Sequence, residues 1–356
     1  DLAIGSRPYS RSAISWGLVA IKQQGDIPEA LRSDYELLYR EFAQDIQKLQ
    51  NNTTDFWVKG LLRSSYDFDN DTDNMVIAPK FALDFSNHFS LKYTTVFDKQ
   101  LDDDPFYIGR EYADFGAYQE QIYMAYSNNG FLLQFGRDYI DWGYGKNGNL
   151  LVSDHSRPFD MFRLGAQSDK FRFDGMIAQL DDIGNNNRYL SATRLAYHSD
   201  FDLTIGIGHA ALYGGENQFI DFAFSNPVSF SYAEQHNNKQ GLNSLVYADF
   251  SWRLKKQYHL YGELLIDDYQ AEDKVQGDME PNEIGFTLGG EVVNLMGYNG
   301  FCEFTQIRNR TYNTHNVNYF EKYIHRNYTI GHRLGNDVRY FNVEINRWMM
   351  KGLNAG

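Results

Sequence analysis

Two hydrophobic periods divide the chain. Up to about residue 50, apolar side chains recur every three or four positions: Ile14, Leu18 and Ile21, then Leu31, Tyr35, Leu38, Phe42, Ile46 and Leu49. That spacing predicts amphipathic helices. The first is capped by Ser12, runs to about Gln24 and stops at Gly25. The second is capped by Asp26, with Pro28 in its first turn, where a missing N–H does no harm. Glu29, Arg32, Glu36, Arg40 and Lys48 fall on its other face. The hairpin is either an ordinary surface helix pair or a plug that docks its apolar stripe on something larger.

From Thr54 onward the period is two. Ile284, Phe286, Leu288 and Val292 alternate with Glu283, Gly285, Thr287, Gly289 and Glu291. Phe250 and Trp252 alternate with Asp249, Ser251 and Arg253, and Phe341, Val343 and Ile345 with Tyr340, Asn342 and Glu344. Each strand thus has one greasy and one polar face, over lengths that suit a transmembrane barrel. Strands are predicted near 54–69, 75–87, 88–98, 118–128, 129–138, 170–180, 189–199 and 201–212. Six more fall near 244–254, 257–267, 282–294, 298–310, 324–332 and 338–348. Long connections (99–117, 139–169, 213–243, 268–281, 311–323) alternate with short ones, as outer-membrane barrels require. Keeping every short turn on one side needs a further crossing, placed at Leu150 to Ser153. The resulting odd count predicts that at least one closing strand is missing from a barrel of about 16–18 strands.

Composition supports this reading. The chain has 356 residues, which implies two domains or one large barrel. The expected division is a helical hairpin or plug over 1–52 and an all-β antiparallel barrel over 53–356. Phe 26, Tyr 26, Gly 30 and only 7 Pro fit a large antiparallel structure meeting lipid. No run of eighteen apolar residues is present, so no transmembrane helix is expected. A net charge of −14 argues against nucleic acid as a partner. The single cysteine, Cys302, excludes an internal disulfide. No charged n-region stands at Asp1, which fits a mature chain whose leader has been removed.

The middle of the chain reads Gly136-Arg137-Asp138-Tyr139-Ile140-Asp141-Trp142-Gly143-Tyr144-Gly145, then Gly148-Asn149-Leu150-Leu151-Val152-Ser153 and Arg157-Pro158-Phe159. Later come Tyr213-Gly214-Gly215-Glu216-Asn217, Ser225-Asn226-Pro227, Gly262-Glu263, Glu303-Phe304-Thr305, Thr311-Tyr312-Asn313 and Gly331-His332. With Arg7-Pro8-Tyr9-Ser10-Arg11 in front, this ordered set resembles the capsule-assembly Wzi-like family over nearly the whole chain. The resemblance implies a Gram-negative outer-membrane β-barrel, closed on the periplasmic side by N-terminal helices. It also implies lectin-like, non-catalytic retention of a surface polysaccharide such as capsule. Expected partners are that polysaccharide, outer-membrane lipid and other outer-membrane proteins; no cofactor and no metal are expected. A solute channel or a structural subunit of a larger complex is the alternative.

For the polymer site, Tyr139, Trp142 and Tyr144 can stack on sugar rings while Arg137, Lys146 and Arg157 meet acidic groups. The competing reading makes Trp142-Gly143-Tyr144-Gly145 a tight bend where the loop folds into the barrel, and it is the stronger of the two. Tyr213-Gly214-Gly215 lacks the spacing of a phosphate loop and reads as a strand-to-loop turn. Glu263, Glu303, Asp267 and Asp268 supply carboxylates that catalysis would need, but in a polar lumen they are expected to pair with Arg194, Arg253 or Arg308. Asp67, Asp69, Asp71 and Asp73, and Asp102 to Asp104, read as solvated loops because the calcium-loop pattern is missing. Cys302 falls on the face opposite Glu303 and is expected to be inert.

Overall fold

The structure is a computed structural model that describes residues 5–356 other than 24, 26, 28, 52–54, 68–71, 86–87, 105–106, 108, 226–240, 256, 269–281, 315, 351–352 and 356. A two-residue strand β1 (Ser6–Arg7) precedes helices α1 (Arg11–Gln23), α2 (Glu29–Glu41) and α3 (Ala43–Asn51). Then come β2 (Asp55–Asp67), β3 (Thr72–Phe85), β4 (Phe89–Asp98), β5 (Gly116–Asn128) and β6 (Phe131–Asp138). A short β7 (Asp141–Trp142) separates these from β8 (Phe159–Gln167), β9 (Phe171–Gln179), β10 (Asn186–His198) and β11 (Leu203–Glu216). The rest holds α4 (Phe222–Ser225), β12 (Leu242–Leu254), β13 (Tyr258–Asp268), β14 (Glu283–Leu295) and β15 (Tyr298–Ile307). A small hairpin, β16 (Ile324–His325) and β17 (Tyr328–Thr329), precedes β18 (Val338–Met350) and β19 (Leu353–Ala355).

Fifteen of these strands, from β2 through to β19, form one antiparallel meander in which neighbours in sequence are neighbours in space. All but the three-residue β19 are long. The period-two pattern explains the wall. Phe286, Leu288, Phe341 and Val343 point outward, with Leu288 at 56% and Phe341 at 66% exposure. Phe250 and Trp252 share that outer face, whereas Thr287, Glu303, Thr305 and Glu263 point inward and are buried. An apolar outside and a polar inside make this a transmembrane-type barrel. Among the described residues no helix is long and apolar enough to cross a membrane.

Two strand expectations are corrected. The crossing placed at Leu150 to Ser153 is β8, because Phe159, Met161 and Arg163 alternate inward against outward Asp160 and Phe162. Leu150, Leu151 and Val152 are fully buried inside instead. The strand expected over 324–332 is the two-residue hairpin β16–β17, which pairs only with itself. Removing that crossing leaves an even set of long strands, so β2 begins and β18 ends at the end carrying the short turns. Tyr213 to Gly215 continue β11, in register with Asn187 to Tyr189, rather than turning out of it.

At the short-turn end the helices pack on one another through Leu18, Phe42 and Ile46, with Ile14, Val19, Tyr35 and Tyr39 around them. The cap of α1 is Ser10, whose hydroxyl accepts the Ala13 N–H at 3.0 Å, not Ser12. α2 and α3 part only at Phe42, across which helical bonds continue from Phe42 N–H to Leu38 and from Ile46 N–H to Phe42, both 2.9 Å; Phe42 and Ile46 are buried, whereas Leu31 and Leu38 are exposed. Asp26 and Pro28 lie outside the described residues. Lys48 bridges to Asp84 of β3 at 2.5 Å and Lys59 of β2 to Glu41 at 3.6 Å, tying the helices to the short-turn end of the wall.

Candidate functional site

Both of the longest described connections fold into the lumen. The 139–158 loop descends from the long-loop end to mid-wall, where Glu263 accepts the backbone N–H groups of Tyr144 (2.7 Å), Gly145 (2.8 Å) and Leu150 (2.8 Å). Glu303 accepts the N–H of Lys146 (2.7 Å), the N–H and Nδ2 of Asn147 (3.2 and 2.8 Å) and the Tyr261 hydroxyl (3.0 Å). A buried carboxylate is costly without donors, and here the donors are amides of the loop. Gly143 makes the approach possible: φ is +135°, and a Cβ there would stand 2.4 Å from Glu263 Oε1. Trp142-Gly143-Tyr144-Gly145 is therefore the tight bend.

The N-terminal segment joins the same assembly. Ser6 pairs with Trp142 and Arg7 with Asp141, and Arg7 Nη2 lies 2.5 Å from Asp141 Oδ2. Asn149 Nδ2 donates to the other Asp141 oxygen. Burial pushes the Asp141 carboxyl up to about 7, while Arg7 pulls the other way. Arg194 holds Asp249 through two bonds of 2.7 Å and reaches Ser6 Oγ at 3.1 Å.

The 308–337 loop lies over the first, toward the long-loop end. Arg188 donates to the carbonyls of Phe320 (2.6 Å), Lys322 (2.7 Å) and Ile324 (2.8 Å). Asp267 accepts the Tyr312 N–H at 2.6 Å. The hydroxyls of Tyr312 and Tyr323 donate to the Leu150 and Leu151 carbonyls at 2.6 and 2.9 Å, so the loops lock together. His332 is fully buried there, its Nε2 has no partner among the described residues, and burial pushes its pKa down to about 4. Asp181, between β9 and β10, accepts the Arg326 N–H at 2.7 Å and lies 3.0 Å from His325 Nδ1. Burial raises its pKa, but these contacts win and lower it.

At the mouth above these loops, the Arg157 guanidinium sits between two rings, 5.5 Å from the Tyr118 centroid and 5.2 Å from that of Tyr328, and it ion-pairs with Asp104. The Tyr139 hydroxyl meets Glu120 at 3.5 Å, and burial beside Glu120 and Tyr118 raises its pKa. His155 packs edge-on against Tyr328 at 5.7 Å, and His155 and Arg326 are exposed.

The structure thus divides the six residues expected to meet polymer. Tyr139 and Arg157 come together at the mouth. Trp142 has 0% exposure and Tyr144 is buried mid-lumen, so neither ring offers a face to a sugar; the bend holds them inside. Lys146 is farther down and bridges to Glu291 at 2.9 Å. Arg137 points outward by strand parity and pairs with Asp160 opposite it at 2.5 Å. The arginine partners expected for the lumen acids are corrected too: Glu263 and Glu303 hold backbone, and Arg308 is exposed at the rim. Asp69 and Asp71 lie outside the described residues, and no group of three metal-ligating side chains occurs among those described. Tyr118, Tyr328 and Arg188 were missed by sequence reasoning. The parity of β5, which puts Tyr118 and Glu120 on the inner face at the long-loop end, was the available signal.

An antiparallel barrel with a greasy belt, a polar interior and loops latched into its own lumen defines a plugged outer-membrane protein of the Gram-negative type. Residues 77–356 match the family model "Capsule assembly protein Wzi", and the chain belongs to that family. Among solved structures it is similar to Wzi, an outer-membrane protein involved in group 1 capsule assembly in Escherichia coli and a carbohydrate-binding β-barrel. The identity is 15%, over 97% of this chain and 76% of that one, with a TM-score of 0.65, a likeness of fold. Salmonella typhi OmpF aligns over 85% of this chain and 88% of its own at 8% identity and a TM-score of 0.47. A mutant of Rh. blastica porin aligns over 85% and 92% at 7% identity and a TM-score of 0.41. Nothing among curated protein sequences matches the chain.

Proposed function

We propose that this protein retains a surface polysaccharide at the outer membrane, lectin-like and without catalysis. In this reading the long loops face the cell exterior and the helical N-terminus lies at the periplasmic mouth, while the 139–158 loop fills the lumen from the exterior side. The observation that carries the reading is the mouth: flat rings of Tyr118, Tyr139 and Tyr328 beside the cations Arg157 and Arg326, on a platform fixed from below. Rings that stack on pyranose faces and guanidinium groups that bind carboxylates suit an acidic saccharide. Each contact is weak, and many repeats on many copies multiply the hold. Arg157 stays as a staple, and the exposed His155 and Arg326 make the outer contacts. The filled lumen disfavours the channel alternative.

The test is His155→Ala with Arg326→Ala, both exposed and outside the latches. Polysaccharide shed into the medium is measured against the cell-bound fraction at equal surface levels of barrel. Shedding is expected to rise several-fold. Unchanged retention would remove the mouth as the site, and unchanged retention on deleting the whole gene would end the polysaccharide reading.

A further inference from the structure

The outer face of the barrel carries a cationic cluster at the long-loop rim that has no acidic partner among the described residues. In β15, Thr305 and Ile307 are buried inward, so Arg308, the next residue, follows the outward set of Phe304 and Gln306. Arg339 stands opposite Gln306 in register, and its neighbour Val338 packs against the inner core, so Arg339 faces outward as well. Arg310, exposed with φ +74°, follows in the same rim segment before the chain turns inward at buried Thr311. The Asp337 N–H donates to the Arg308 carbonyl at 3.5 Å, which joins the two strand ends. All three arginines are exposed, and none has a side-chain ion pair or hydrogen bond among the described residues. Among the described residues the acids nearby are Asp337, which is exposed, and Asp268 and Glu283, which act on buried Asp267 at the tops of β13 and β14.

The chain has 47 acidic and 33 basic residues, and elsewhere in the wall Arg137, Arg163, Arg172 and Arg194 each hold a carboxylate. Directly below lies the apolar belt. Phe304 and Phe341 are opposite each other in register, and Phe286 contacts Phe304 with centroids 5.8 Å apart. Rings at acyl-chain depth with guanidinium groups one step higher match an amphiphile whose head is anionic and whose tails run down the wall. Guanidinium forks favour phosphate over other anions.

We propose that Arg308, Arg310 and Arg339 form a binding site for the phosphate-bearing headgroup of an outer-leaflet glycolipid, which seats its acyl chains on Phe286, Phe304 and Phe341. The proposal rests on the long-loop end facing the cell exterior and is independent of the polysaccharide site.

The test compares the wild-type barrel with the variant carrying Arg308→Gln, Arg310→Gln and Arg339→Gln, and with the matching triple Lys variant. Each is placed in detergent with bis-phosphorylated lipid A or with lipid A stripped of phosphate, and bound lipid per barrel is read by native mass spectrometry. At about one tenfold step or more for the three charges together, the Gln variant loses bis-phosphorylated lipid A, while the Lys variant keeps most of it. The wild type prefers the phosphorylated form, and millimolar inorganic phosphate does not displace it. Heat-modifiable migration on gels establishes that each variant is folded. Equal binding by the Gln variant, or equal binding of the stripped lipid, overturns the site; displacement by free phosphate overturns the glycolipid as its ligand. Polymer retention by the same variants should be unchanged, which separates this failure from that of the polysaccharide reading.

Discussion

At the scale of single residues, Glu263 and His332 give the sharpest tests of the packed lumen. Glu263 satisfies three buried amides at once, and of these the Gly145 N–H also reaches Asn149 Oδ1 at 2.7 Å. Glu263→Ala should strand the other two, those of Tyr144 and Leu150, at about 1–3 kcal/mol for each donor left unpaired, whereas Glu263→Gln keeps an acceptor oxygen and should lose roughly half as much. Limited proteolysis at Lys146 and Arg157 measures the opening of the loop, and equal protection of the Ala variant would show that Glu263 does not hold it. His332 sets a pH dependence. Its folded value of about 4 lies below the ordinary 6.5. Between those pH values the unfolded chain takes a proton that the buried ring refuses, so stability is whole above pH 6.5 and falls as the pH drops toward 4. The full swing is about 3 kcal/mol. Thermal midpoints in detergent at pH 7 and pH 4 should therefore differ more for the wild type than for His332→Gln. Equal differences would remove His332 as the cause.

At the scale of elements, the alternation along each strand states which substitution the membrane will notice. Leu288 faces outward at mid-strand, and Arg in its place should cost about 2–4 kcal/mol of barrel stability, read from unfolding in lipid vesicles. Its neighbour Thr287 faces inward, with its hydroxyl 3.0 Å from that of Thr305, and belongs to a different environment one residue away. This period-two logic is why the wall was legible in the sequence, and why Phe286, Phe341 and Val343 were assigned outward correctly. It was also the source of both errors. Leu150, Leu151 and Val152 are apolar because they fill a lumen, and Ile324 to Ile330 look strand-like because they form the small hairpin, whose Ile330 is buried in the lumen core. Burial inside a barrel and burial in lipid call for the same residue types, so local pattern cannot separate a crossing from a plug. The same ambiguity hid the site. Trp142 and Tyr144 have the rings a sugar would need, but Gly143 turns them inward toward Glu263, a partner 120 positions away that no local spacing reveals. Arg157 was found because it is a cation among aromatics; its role as a staple between Tyr118 and Tyr328 depends on two separate connections meeting strand β5.

At the scale of the whole molecule, the two loops that fill the lumen touch each other but are latched to the wall separately. The 308–337 loop lies at the mouth, the 139–158 loop at mid-wall, and the N-terminal strand and helices toward the short-turn end. The layers touch through a few polar contacts: Tyr312 and Tyr323 on Leu150 and Leu151, and Ser6 and Arg7 on Trp142 and Asp141. The wall latches, by contrast, are separate for each loop: Glu263 and Glu303 hold one, and Asp267 and Arg188 the other. Removing a single layer should therefore not make a pore. Deleting residues 1–50 is expected to leave a barrel that inserts, because strand and helix cores are built from different residues, Leu18, Phe42 and Ile46 on one side and the lumen cluster on the other. Its conductance in planar bilayers should stay close to that of the intact chain, since both loops remain latched. Conductance should rise to that of an open barrel only when the deletion is combined with Glu263→Ala and Glu303→Ala, which free the mid-wall loop. A large rise on deleting residues 1–50 alone would mean that the helices are the seal and the loops a lining. A barrel still closed in the combined variant would mean that the upper loop, through Asp267 and Arg188, suffices without the one beneath it.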